Sequence, residues 1–223
     1  MRALLMRSTS FLRLPSLSIC SGIFLCGTIF LGSGASLEAQ IPATDFQIDK
    51  IDISMPTTPV ITFSGIPKSG SNPKKWMEVE VSFFWKPRLA TQKYSDDVVI
   101  NYYVLLANKS AAFPQGSLLS GQVTHTGIPS KQTEQGDVKS VMYVSPRALE
   151  QFFSGKVPSS KDSAVIDAGV TITEQGKIVA EKSYKGSGAW WSQMQQTSGY
   201  LLNKDQTPFQ PLYWDYYEPI KKP

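Results

Sequence analysis

The chain is poor in the residues that build reactive centres. Its 223 residues include one His and two Cys. One imidazole cannot make a multi-histidine metal site, and two thiols cannot make a zinc knuckle or a disulfide framework. Charge of one sign is scarce as well. Lys and Arg number 22 against 18 Asp and Glu, a formal net charge of +4, which leaves no strong footprint for nucleic acid. Gly65 to Gly70 lacks the Walker lysine–hydroxyl pair and the strand–glycine–helix setting of a phosphate loop. No G-x-S-x-G elbow and no H-E-x-x-H motif occurs. The expectation is a non-enzyme, with no catalytic residue, no cofactor and no metal.

The N-terminus carries an address. Arg2, Arg7 and Arg13 form a basic region, Leu17 to Leu31 is almost wholly apolar, and Gly32-Ser33-Gly34-Ala35-Ser36 is a run of small residues. That is the order of a secretory signal, and the apolar run is shorter than the ~20 residues of a relaxed membrane-spanning helix. Residues 1–39 are read as a signal peptide cleaved after Ala39, with cleavage after Ala35 and retention as an anchor as alternatives. Ile19 before Cys20 and Leu25 before Cys26 do not suit a lipoprotein signal. The lack of any acidic residue between Met1 and Leu37 does not suit a type IV pilin subunit. The expected location is the periplasm or cell surface of a Gram-negative bacterium, with no membrane span after cleavage. Loss of residues 1–39 removes three basic residues and one acidic one, leaving 19 against 17, and takes both Cys with it. The remainder must be held by its core alone, and a chain of that size buries roughly 70% of its unfolded surface.

What is present reads as β. In Trp76–Trp85, Met77, Val79, Val81, Phe83 and Trp85 alternate with Trp76, Glu78, Glu80, Ser82 and Phe84. Period two with a polar face is a half-buried antiparallel strand. Val98–Leu106 is apolar on both faces and rich in β-branched and aromatic residues, as a central strand is. Further strands are predicted at Phe46–Ile53, Val60–Phe63, Leu119–Thr126, Val138–Val144, Val165–Thr173 and Lys177–Tyr184. A phase slip between Ile48 and Ile51 predicts a bulge. Thr173–Lys177 predicts a hairpin with Gly176 at positive φ. Asp167 and Thr171 are expected on the wet face, and Ile166, Ala168, Val170 and Ile172 inside. One short helix is signalled by Ser145 as N-cap, Pro146 at the first helical position and Gly155 beyond the end. About eight strands separated by turn formers predict an all-β fold, an immunoglobulin-like antiparallel β-sandwich over residues 40–189, with a small barrel as the alternative.

Residues 190–223 form an aromatic, Pro-rich C-terminal segment. Eight of its residues are aromatic: Trp190, Trp191, Tyr200, Phe209, Tyr213, Trp214, Tyr216 and Tyr217. Pro208, Pro211 and Pro219 keep it extended. Aromatic rings bury large areas and stack on sugars or partner side chains. Trp190, Trp191, Tyr213, Trp214, Tyr216 and Tyr217 are therefore the candidate binding surface, and packing of the same segment across the sandwich is the structural reading.

Other candidates read first as structure. His125 lacks a sequence motif for the partner carboxylate that a general base beside Ser120 or Thr126 needs. Glu78 and Glu80 share one strand face, as solubilising carboxylates do, although paired carboxylates can also run glycoside hydrolysis. Asp96-Asp97 and Asp49/Asp52 lack the spaced oxygen ligands of a calcium loop. Asn108-Lys109-Ser110 matches a glycosylation triplet.

The block Tyr200–Asp215 (YLLNKDQTPFQPLYWD) resembles the C-terminal block of a little-characterised family of exported proteins from verrucomicrobial bacteria. Val79–Trp85 followed by Lys86-Pro87, and Val98–Leu106 ending in Ala107-Asn108, are similar to it too. One member of that family is encoded in a type IV pilus assembly locus. The resemblance implies an immunoglobulin-like fold and a role as a type IV pilus or secretion accessory, with envelope proteins as partners. The resulting expectation is protein–protein contact in the envelope, with sheet edges docking by strand addition. A carbohydrate-binding module using the C-terminal aromatics is the alternative.

Overall fold

The computed structural model describes residues 45–60, 73–87, 89–111, 113–131, 137–213 and 215–222. The export segment, Trp214 and residues 61–63 of the expected strand Val60–Phe63 lie outside them, and Val60 itself belongs to no strand. In chain order the elements are β1 (Asp45–Ser54), β2 (Met77–Lys86), β3 (Val98–Leu106), β4 (Leu118–His125), β5 (Val138–Val144), α1 (Pro146–Phe152), α2 (Lys161–Ala164), β6 (Val165–Glu174), β7 (Lys177–Ser183), β8 (Gln196–Ser198) and β9 (Leu201–Asn203). The strands form a four-stranded sheet, β1-β2-β5-β9, and a five-stranded sheet, β7-β6-β3-β4-β8. All pairings are antiparallel except β4 with β8. The fold is thus an all-β sandwich.

Period two builds the core. Met77, Val79, Val81, Phe83 and Trp85 of β2 are fully buried and face Val98, Ile100, Tyr102, Val104 and Leu106 of β3 within one cluster. Each such aliphatic or aromatic side chain contributes roughly 1.5–3 kcal/mol relative to exposure. The bulge predicted in β1 is present as a register shift between Ile48 and Lys50, and it keeps both Ile48 and Ile51 inward. The β6–β7 hairpin closes through Gln175 (φ 49°) and Gly176 (φ 79°). Positive φ at both central residues gives a turn whose twist matches that of the strands. Helix α1 starts where Ser145 Oγ accepts from the Ala148 amide at 3.2 Å.

Three details depart from expectation. A second short helix, α2, is capped by Ser160, with Ser163 in the position where Glu or Gln is more familiar. Ile166 does not face the core. The register of β6 shifts opposite Leu105 and Leu106, and Ile166 packs instead with Leu105, Leu118 and Trp191. Thr171 lies on the outer face as expected but is buried there, accepting a hydrogen bond from the Asn101 amide at 3.1 Å.

The C-terminal segment is not simply extended. After β7 it crosses the outer face of the five-stranded sheet through a 3-10 turn at Trp190–Gln193 and adds β8 to that sheet. At Gly199-Tyr200 it changes sheets, adds β9 to the other, and makes a second 3-10 turn at Lys204–Gln206. It then passes over the outer face of the four-stranded sheet. Finally the Glu218 amide donates to the Lys139 carbonyl at 3.1 Å and the Lys221 amide to the Thr124 carbonyl at 2.8 Å, one on each sheet. Sheet edges at β4 and β5 are thereby closed. On the opposite side β1 is bulged, and the Lys182 ammonium donates to the Asp49 carbonyl at 2.6 Å. The outermost strands are β1 and β9 in one sheet and β7 and β8 in the other.

Candidate functional site

His125 projects into the core from β4 and is 2% exposed. Its Nδ1 lies 3.0 Å from the Pro219 carbonyl and its Nε2 2.7 Å from Ser140 Oγ. The pairing that satisfies both is Nδ1–H donating to the carbonyl and Ser140 donating to Nε2. Neither Ser120 nor Thr126, the neighbours expected from sequence, bonds the ring in this arrangement. Burial lowers the His125 pKa, against smaller opposing effects of the Pro219 and Glu218 backbone. A serine within hydrogen-bond reach of a histidine invites comparison with a nucleophile–base pair. Here, however, Ser140 is fully buried, and the atom behind the imidazole is a backbone carbonyl of the closing strap. The arrangement fastens the strap to the core. Ser140 was missed from sequence, although a serine among the inward positions Val138, Met142 and Val144 was a signal.

The acidic candidates resolve into local bonds. Asp97 pairs with Lys221, and that contact, with Thr126, lowers its pKa. Asp96 accepts from the Gln175 amide at 3.2 Å, and Asp52 pairs with Lys50 at 2.6 Å. Asp167 organises the loop after β7, accepting from the Lys185 and Gly186 amides at 2.8 and 3.0 Å and from the Ser183 hydroxyl at 3.0 Å. Asn108 is held by Ser117 through both amide atoms, at 2.8 and 2.9 Å. No group of three His, Cys, Asp or Glu suited to a metal occurs among the described residues.

Five of the six aromatics singled out from sequence lie among the described residues and divide between two faces; Trp214 lies outside them. Trp190 and Trp191 lie on the five-stranded sheet. Trp191 is 4% exposed and stacks on Tyr103 with centroids 5.1 Å apart and planes at 9°. A Cβ on Gly169 would meet the Trp191 ring at 2.2 Å, so the glycine in β6 makes the seat. The Trp190 indole N–H donates to Ser183 Oγ at 2.9 Å. Trp191 is thus packing rather than surface, which corrects its place in the candidate binding surface. Its large apolar ring is worth more against Tyr103 and Leu118 than in water.

Tyr213, Tyr216 and Tyr217 lie on the other face, over β2 and β5. Beneath them Phe209 stacks on Tyr143 at 4.6 Å and 4°, and Trp76 meets Phe209 edge-on at 5.7 Å. Beside this seal Tyr217 meets both Tyr213 and Tyr216 edge to face, and Tyr213 and Tyr216 are tilted at 53° to each other. Tyr216 and Tyr217 are 4.9 Å apart at 88°, and Tyr213 lies 6.2 and 6.3 Å from them. With Pro56, Phe209, Glu78 and Glu80 they line an open cleft of about 390 Å³. Tyr213 and Tyr216 remain 57% and 49% exposed. Tyr213 also holds φ 58°, a left-handed conformation that a bulky residue adopts only when its surroundings impose it.

Glu78 and Glu80, read from sequence as a solvated face, form the floor. Glu80 is satisfied. It accepts from Lys139 at 3.0 Å and from the Tyr217 hydroxyl at 2.8 Å. Lys139 in turn bonds the Tyr216 hydroxyl and lies 4.1 Å from that ring's centroid. Burial lowers the Lys139 pKa, but Tyr216 and Glu80 outweigh it and hold the group above its ordinary value. Burial, with Glu78 and Glu80 nearby, pushes the Tyr217 phenol up. Glu78 accepts from Ser54 Oγ at 2.9 Å. The Tyr143 hydroxyl, buried beside Glu78 and Tyr217, makes no hydrogen bond of good geometry. What sequence could not show is that the C-terminal tyrosines come down on this strand face.

Comparison with known proteins agrees with this architecture. A family model, that of an uncharacterised family, matches residues 37–223. No curated protein matches. A crystal structure of a protein from Akkermansia muciniphila is similar in fold, with a TM-score of 0.65 and 24% identity over 81% of this chain and 94% of that one.

Proposed function

The chain belongs to the uncharacterised family whose model spans its last 187 residues, and from that premise we propose that it is a non-enzymatic, exported domain that works by protein–protein contact in the bacterial cell envelope. The contact is made at the tyrosine cleft over the four-stranded sheet. The observation that carries this reading is the pair Tyr213 and Tyr216, half-exposed rings held in a concave wall where a purely structural segment would bury them. The order of basic, apolar and small residues in 1–39 supports export. The orders β1-β2-β5 and β7-β6-β3-β4 support an immunoglobulin-like arrangement. A place beside pilus or secretion machinery rests on the family resemblance of Tyr200–Asp215.

A photo-reactive phenylalanine analogue at position 213, compared with one at the exposed Ile178 on β7 of the other sheet, tests the reading in intact envelopes. The reading expects a discrete adduct with one envelope protein from position 213 and none from 178. Equal adducts from both positions, or none from 213, contradict it. The carbohydrate reading is favoured only by ring exposure beside carboxylates. The 53° tilt between Tyr213 and Tyr216 spoils a flat sugar platform. Sugar-specific signal on a glycan array, lost in a folded Tyr213→Ala protein, would restore it.

A further inference from the structure

The floor of the cleft holds two carboxylates in unequal states. Glu80 is matched by a cation from within the chain. The ammonium of Lys139 reaches it at 3.0 Å while lying over the Tyr216 ring, and the Tyr217 hydroxyl completes the set. This is a filled carboxylate–aromatic–ammonium arrangement. Glu78 sits two residues away on the same face of β2, among Tyr213, Tyr217 and Phe209, and its hydrogen bond comes from a neutral hydroxyl, Ser54. Beside it the fully buried Tyr143 hydroxyl is without a well-formed hydrogen bond. The second position therefore has the carboxylate, the aromatic faces and the opening of the first, and no cation pairs with it among the described residues. Tyr213, which walls it, is itself held at positive φ.

We propose, resting on the docking role given above, that the protein partner inserts the cationic end of a lysine or arginine side chain into this cleft, against Glu78 and between the faces of Tyr213 and Phe209. A ring face attracts a cation through its quadrupole, and the carboxylate supplies a charge-assisted hydrogen bond. The aliphatic stem of such a side chain suits the apolar rim at Pro56. Selectivity is for charge carried on a slender stem, since the filled twin position holds a lysine.

The test is an NMR titration of the protein with three probes at low salt: a capped glycine–lysine–glycine peptide, the same peptide acetylated at Nε, and methyl glucoside. The proposal expects saturable shifts around Tyr213, Phe209 and Glu78 with the first. Binding should be weaker by about tenfold or more with the second, and absent with the third. Glu78→Gln, which keeps an acceptor for Ser54, should abolish the response to lysine while leaving the melting temperature at the parental value. Tyr213→Leu should weaken it. Equal response to the charged and acetylated peptides, response to the sugar alone, or an undiminished response in Glu78→Gln overturns the proposal. An adduct from position 213 without any lysine response leaves the docking role standing and removes the cationic occupant. A lysine response without an adduct keeps the occupant chemistry and removes the docking role.

Discussion

The two outer faces of the sandwich are crossed by the same C-terminal segment and are covered in different ways. On the five-stranded sheet Trp191 lies flat on Tyr103 over Gly169, and Trp190 meets it edge-on at 5.5 Å. On the four-stranded sheet one ring, Phe209, makes the flat contact, and the tyrosines after it stand on edge around carboxylates. Both faces are rich in aromatics, so composition does not separate them. What separates them is the strand beneath. Gly169 and Leu105 invite a ring to lie down, whereas Glu78 and Glu80 demand hydrogen bonds and charge. Aromatic content therefore became packing on one side and a half-open cleft on the other.

The largest effect should come from removing the covers. Deleting residues 190–223 strips both faces together with β8, β9 and the strap, and the cooperative unfolding transition in denaturant should disappear. Single changes grade the comparison. Trp191→Ala and Phe209→Ala each empty a flat stack and should cost about 3–5 kcal/mol in chemical denaturation. Gly169→Ala should cost about 1–3 kcal/mol, because the new methyl overlaps the Trp191 ring. In the Trp191→Ala background that cost should largely vanish, a coupling that a double-mutant cycle measures. No such dependence on Gly169 should be seen for Phe209→Ala.

The strap makes a pH-dependent difference between the closed and open sides. His125 has a folded pKa below its ordinary value of 6.5, chiefly because it is buried. Between the two values the unfolded chain binds the extra proton. Stability from this group is therefore fully present above about pH 6.5 and is lost as pH falls, at no more than about 1.4 kcal/mol per pH unit. Unfolding curves from pH 7.5 to 5 should show that decline, and His125→Gln should flatten it.

Much of the sandwich was legible because its signals are local. Alternation in β2, the bulge in β1, the Gly176 turn and the Ser145-Pro146 start of α1 each depend on neighbours in sequence. The bulge that turns Ile166 outward and the burial of Thr171 depend on the strands beside β6, which no local pattern reports. The aromatic segment was visible as a segment, yet its sorting into Trp191 beneath and Tyr213 above was not, since that depends on which strand face each ring meets. Glu78 and Glu80 looked solvated for the same reason: their cover is supplied from more than 130 residues away, as the bond between Tyr217 and Glu80 shows. His125 drew attention as the only imidazole, but its partners, Ser140 and Pro219, come from another strand and from the chain's end.

The central claim is that Tyr213 and Tyr216 are kept for a partner while Trp191 and Phe209 are kept for the fold. The unfolding free energy of the Tyr213→Ala/Tyr216→Ala double variant tests it most directly. The account predicts a value within about 1 kcal/mol of the parent, with the same dependence on denaturant. A loss of about 3 kcal/mol or more, on the scale of emptying a core site, would show that these rings hold the sandwich together and would contradict the division.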